Sequence, residues 1–225
     1  MNAVRAPEER VEENTTRVED QLIRSVARAA DRAEVREAVR AIYDELQAET
    51  DERRPRCDAS GRCCRFEAFG HRLYVTTAEL AAFSYELTGD VFAASRSDVG
   101  GPAAPRSRSL PVLADSAGGR DAGATPEEKA AWDGTGCPYQ VRGLCGVHSI
   151  RPFGCRVFFC DESSTEWQRQ AYERFHGRLK RAHERLDVPY FYVEWRSALR
   201  ILGLTASTAP PVRLAGASIV ENCSI

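Results

Sequence analysis

The stretch Gly136–Cys160, GCPYQVRGLCGVHSIRPFGCRVFFC, carries Cys137, Cys145, Cys155 and Cys160, with His148 among them. Gly136 and Gly154 directly precede Cys137 and Cys155, Gly146 follows Cys145, and Gly143 lies two residues before it. A shorter patch upstream, Cys57 to Cys64 (CDASGRCC), adds Cys57, Cys63 and Cys64. Thiolates are soft ligands for zinc and iron, and four of them complete a tetrahedral site or hold a cluster. Glycine allows tight turns that aim peptide N–H groups at sulfur. The two patches are therefore expected to meet around a metal or an iron–sulfur centre, with helices packed about it.

Composition sets the frame for that reading. The chain has 225 residues, eight cysteines and a formal charge of -2. That length suits one domain with a core, and the mixed charge speaks against a nucleic-acid partner. No apolar run reaches the ~18 residues of a membrane span, and MNAVRAPEERVEEN lacks the apolar region of a signal peptide. The expectation is a cytoplasmic protein without a membrane partner. In a reducing compartment, clustered cysteines point to metal rather than disulfides.

Around the patches the expected fold is mostly α with a few short strands. Residues 1–55 carry one long helix, over Thr16 to Asp51, opened by a capping box at Thr16 and Glu19 and stopped at Pro55. Its stripe of Leu22, Val26, Ala29, Val35, Val39, Ile42 and Leu46 is read as packing on the chain's own core, with a homodimer through this helix as the other reading. Residues 56–203 form the cysteine-cluster domain. Within it Arg72–Thr76 reads as a strand, and a helix capped by Thr76, read with Thr77, and Glu79 then carries Leu80, Phe83 and Leu87 to Gly89. A Gly/Pro/Ser-rich loop spans about 95–125, with an apolar island at Leu110–Leu113, and a short helix opens at Thr125. Ser163 and Glu166 form a capping box ahead of a helix through Trp167, Ala171, Phe175, Leu179, Ala182 and Leu186. Pro189 is read as the start of a further helix with Tyr192, Trp195, Leu199 and Leu202 on one side. Residues 204–225 read as a loose tail in which Cys223 is incidental.

Four thiolates around zinc, or around an oxidised four-iron cluster, leave about two negative charges to offset. Arg62, Arg65, Arg142, Arg151 and Arg156 lie within a few residues of the cysteines. Phe153, Phe158, Phe159 and Trp167 supply apolar bulk that excludes water and tunes a centre. The spacing matches neither a C-x2-C zinc finger nor a bacterial ferredoxin run. The pattern thus argues for metal and leaves the metal open.

Cys57-x2-Ser60-x2-Cys63-Cys64, followed by Cys137-Pro-Tyr, Gly143-x-Cys145-x2-His148-x2-Arg151-Pro152-x2-Cys155-Arg-x-Phe158, resembles the YkgJ-type cysteine-cluster family. That family is named for a C-x2-C-x2-C-C signature and described as zinc- or iron-chelating. The resemblance covers roughly residues 57 to 160 and implies a cytoplasmic metal or iron–sulfur centre. Flagellin lysine methylases carry a related signature, so by analogy protein modification is one activity it implies. Ser60 stands in place of the second signature cysteine, and serine is a poor ligand for soft metals. Cys160 is then the natural substitute and His148 the reserve. The expected ligands are a subset of Cys57, Cys63, Cys64, Cys137, Cys145, Cys155 and Cys160, with Arg151, Arg156 and Gly154 supporting them. The expected cofactor is an iron–sulfur cluster of the 4Fe-4S type, redox-active or acting on a protein side chain. The alternative is a structural zinc (Zn) module displaying a surface to a protein partner.

Other residues read as structural. Glu173 and His176 fit one half of a di-iron helix motif whose second copy is missing, so they read as a solvated helix face. His183 reads as a surface residue and His71 as a hydrogen-bonded one. Tyr190, Tyr192 and Trp195 read as core rather than as a base-stacking surface.

Overall fold

Apolar stripes at helical spacing, separated by glycine and proline, produce a mostly helical fold with a few short strands. The computed structural model of the protein describes residues 7–88 and 134–205, with the backbone alone for residues 7–12. The loop expected over 95–125, the Thr125 helix and Cys223 lie outside the described residues.

The N-terminal stripe folds as two helices, α1 (Pro7–Ala30) and α2 (Ala33–Arg53), rather than one. Arg32 is extended at φ -91 and ψ 111, and the Arg36 guanidinium donates to the Ala30 carbonyl that the break leaves without a helical partner. A straight helix over the same residues would run roughly 70 Å and carry half its stripe past the core. The break lets α1 lie on α4 (Thr77–Thr88) while α2 packs on α4, α5 (Phe153–Val157) and α6 (Thr165–Arg185). Leu22, Val26, Val35, Val39 and Leu46 are all buried this way within the chain. Thr16 lies inside α1, which begins at Pro7, where a proline costs no helical hydrogen bond.

Two small antiparallel pairs complete the frame. Strand β1 (Tyr74–Thr76) pairs with β4 (Tyr192–Glu194), Tyr74 opposite Glu194 and Thr76 opposite Tyr192. The segment after Pro189 is thus a strand first, and the helix α7 (Trp195–Ile201) starts only after it. Aromatic and β-branched residues at 190–193 suit a pleated edge, and Glu194 caps α7 by accepting from the Ser197 N–H at 2.9 Å. The second pair, β2 (Gln140–Val141) with β3 (Leu144–Cys145), is a tight hairpin. Its two turn residues, Arg142 and Gly143, have φ of 50 and 81, the left-handed pair that matches strand twist.

The caps differ in part from expectation. At α4 the box is realised: the Thr76 N–H donates to Glu79 at 2.9 Å, and the Glu79 N–H donates to Thr76 Oγ1 at 3.4 Å. Ahead of α6, Asp161 caps the 3-10 turn Glu162–Ser164, accepting from the Ser163 N–H at 3.0 Å and from the Ser163 and Ser164 hydroxyls, while Ser164, the N-cap of α6 itself, makes no side-chain cap bond. Ser163 is donor there, not cap.

His183 is buried, at 2 % exposure, instead of standing on the surface. Its Nδ1 is 3.0 Å from the Val188 carbonyl, and Nε2 accepts from the Ala78 N–H at 3.3 Å. Tyr190 and Tyr192 are exposed, so only Trp195 of that aromatic group belongs to the core.

Candidate metal centre

The two cysteine patches meet through backbone contacts. The Cys137 N–H donates to the Cys64 carbonyl at 2.7 Å, and Gln140 Nε2 donates to Gly61 and Gly143 carbonyls, each at 3.1 Å. Glycine is required at the join. A Cβ on Gly61 (φ 67) would sit 2.0 Å from the Gly143 carbonyl oxygen, and one on Gly136 (φ 58) would sit 2.9 Å from the Cys64 oxygen. Upstream of Cys137, the Gly136 N–H donates to Glu67 at 2.8 Å, and Arg196 pairs with the same carboxylate. The Gly136 N–H first, then Arg196, hold the Glu67 carboxyl down to about 2.

This join gathers sulfurs. Cys64 stands among Cys137, Cys145 and Cys63, and these side chains push its thiol well up. Cys64 in turn lowers Cys63 to about 6, with Arg151 adding to the effect. Cys145 falls to about 7 for the same first reason, helped by the Val147 N–H and Arg151. Cys137 is lowered by Cys64, by the Tyr139 N–H and by the Trp195 indole. Cys155 enters α5 behind Pro152. Burial pushes its thiol up, and the charges of Cys137 and Cys145 add to the rise. The chemistry is that of partly ionised thiols sharing few protons inside a protein.

Two buried donors, Arg151 Nε and Trp195 Nε1, have no hydrogen-bond partner among the described residues. Both side chains act on the thiols: the Arg151 charge lowers Cys63, Cys145 and Cys155, and the indole lowers Cys137. Buried N–H groups left unpaired cost about 1–3 kcal/mol.

The other expected site residues are placed as follows. Cys57 is exposed, and Cys160 lies 3.6 Å from Ser60 Oγ, so that the serine and its expected substitute are neighbours. His148 Nε2 accepts from Arg151 Nη1 at 2.5 Å, which commits its lone pair, and burial foremost drops it to about 4. Arg156 reaches the Arg151 and Ser149 carbonyls at 2.8 and 2.6 Å and lies over the Tyr43 ring at 4.3 Å. It clamps the turn leading to Cys155. Gly154 gives Leu73 room, since a Cβ there would meet Leu73 Cδ1 at 2.4 Å. Among the described residues no group of three or more His, Cys, Asp or Glu side chains is arranged, as it stands, to hold a metal ion. The thiols of Cys63, Cys64, Cys137 and Cys145 lie close enough to shift one another's ionisation, and form a thiol nest in that sense.

Sequence reasoning missed a buried carboxylate. Glu79, at 3 % exposure, accepts from the Tyr43 hydroxyl at 3.1 Å, the Thr76 N–H and the Phe153 N–H at 2.9 Å. It thereby fixes the first residue of the helix that carries Cys155. Burial pushes its carboxyl up, against the pull of these donors. Its only mark in the sequence is the capping box with Thr76. Trp195 and Glu67 were missed as well, since nothing local in the sequence pairs them with cysteines sixty residues away.

Comparison with family models, with curated proteins and with solved structures gives no match. The family resemblance therefore stands on the quoted residues alone.

Proposed function

We propose that the chain binds an iron–sulfur cluster, or iron, through Cys63, Cys64, Cys137, Cys145 and Cys155. The observation that carries this reading is the meeting of the two patches, Cys137 N–H on the Cys64 carbonyl at 2.7 Å, which gathers Cys63, Cys64, Cys137 and Cys145 within reach of the Arg151 charge and the Trp195 indole. A wholly apolar role for the cysteines would place hydrophobic groups there. Five thiols suffice for the four protein ligands that a cluster or a tetrahedral ion takes. Binding would replace S–H bonds by metal–sulfur bonds and release the protons. When bound, such a cluster supplies electron transfer or Lewis acidity. The chain's own part is to neutralise it with Arg151, donate to its sulfurs from peptide and indole N–H groups, and keep water out with Phe153 and Trp195. The likeness to the YkgJ-type family points the same way. A cytoplasmic location and a role in modifying a protein side chain are part of this proposal.

Anaerobic purification followed by metal and sulfide analysis tests it. Brown protein with iron and acid-labile sulfide supports the cluster. Colourless protein with stoichiometric zinc would replace it by a structural zinc module, and protein with neither metal would end the proposal.

A further inference from the structure

A cavity of about 270 Å³ opens beside the thiol nest, with Cys63 and Cys155 in its lining. Its walls are aromatic. The His71 and Phe158 rings stack at 5.3 Å and 17°, and Phe66 meets His71 edge-on at 5.3 Å. Most polar groups in the lining are already committed. His71 Nε2 lies 3.3 Å from the Cys63 carbonyl, and Gln168 bonds the Phe159 N–H and the Asp161 carbonyl. Arg169 is held by Glu166 and Glu173, each at 2.7 Å. Arg72 differs, being exposed and without a carboxylate partner among the described residues. A flat apolar slot with one uncommitted guanidinium at its rim matches a planar body bearing an anionic end.

We propose that this cavity binds a small aromatic or similarly flat carboxylate, its ring against the aromatic wall at Phe158 and its carboxylate on Arg72. The volume is that of a small ligand and lies just below the usual range for drug-sized sites. The inference rests on the cluster reading only for what the ligand meets at its Cys63 and Cys155 end. Binding itself needs the walls and Arg72.

Benzoate and benzyl alcohol, titrated against the full chain and followed by NMR line shifts, test this, with metal and sulfide measured on the same preparation. Saturable benzoate binding, weakened about tenfold or more by Arg72→Gln while benzyl alcohol is unaffected, supports the proposal. Phe158→Ala, at a half-exposed ring, should weaken both probes. No saturable benzoate binding, or benzoate binding indifferent to Arg72→Gln, overturns it. Failure of the cluster reading shows separately, as absent iron with binding intact.

Discussion

The inner cysteines and the outer ones share a sequence neighbourhood and little else. Cys63, Cys64, Cys137 and Cys145 gather beneath a peptide bridge, with Cys155 entering from α5. Cys57 is exposed, and Cys160 lies beside Ser60 Oγ. Both groups are linked by short chain segments to glycines and arginines, so local composition does not separate them. The difference is which backbone segments lock together. Cys64 and Cys137 are tied directly, whereas the Cys57 segment reaches its neighbour through Arg56 N–H and Asp161 on the surface, at 3.2 Å. A thiol's chemistry follows from the low-dielectric, donor-rich place the fold puts it in.

The largest test of this contrast is metal content. Cys155→Ala and Cys64→Ala should abolish bound iron, while Cys57→Ala should retain most of it. Equal loss in all three would erase the distinction between inner and outer sulfurs. The peptide bridge comes next. Gly61→Ala adds a Cβ to a left-handed residue against the Gly143 carbonyl and should cost about 2–3 kcal/mol by denaturant unfolding. Gly70→Ala, also left-handed at φ 64 but with open space around it, should cost about 1 kcal/mol. If the two variants unfolded alike, the join between the patches would not be the constraint that its geometry indicates.

Glu79→Ala should destabilise by a comparable or slightly smaller amount, about 2 kcal/mol, because it strands the buried N–H groups of Thr76 and Phe153. It should also lower iron occupancy through the displaced Cys155 helix, whereas a purely scaffolding role would leave occupancy intact. The smallest expected effect is a pH dependence from His183. Burial lowers its pKa below the ordinary 6.5, so the folded state holds it neutral. The unfolded chain then takes up the proton first. Its stabilising share is full above 6.5 and is lost as pH falls below that value through the folded pKa. His183→Asn should flatten that limb of an unfolding-versus-pH curve. An unchanged slope would show that the acid limb belongs to the thiol nest instead.

Much of the helical frame was legible because its signals are local. The stripe of α6 and the Thr76–Glu79 box depend on residues three and four apart, and they fold as read. The single long N-terminal helix was misread because a stripe gives the period of a helix and not the place where it must turn back to bury both halves. The strand at Tyr192 was misread as helix since a short aromatic run fits either period until a partner, here β1, supplies its hydrogen bonds. The hairpin turn at Arg142 and Gly143 escaped notice because an arginine with positive φ is an unusual choice for it.

By itself the sequence determined that this chain is mostly helical, that its cysteines fall in two glycine-punctuated patches, and that Arg151 and Pro152 precede Cys155. These follow from residue type and short spacing, which act over a few bonds. The tertiary structure alone decided which sulfurs adjoin, that Trp195 and Arg151 bring N–H groups to them, and that Glu79 is buried under the Cys155 helix. Those facts depend on close packing between segments far apart in the chain, where burial and paired donors set each group's charge, and no local pattern encodes that.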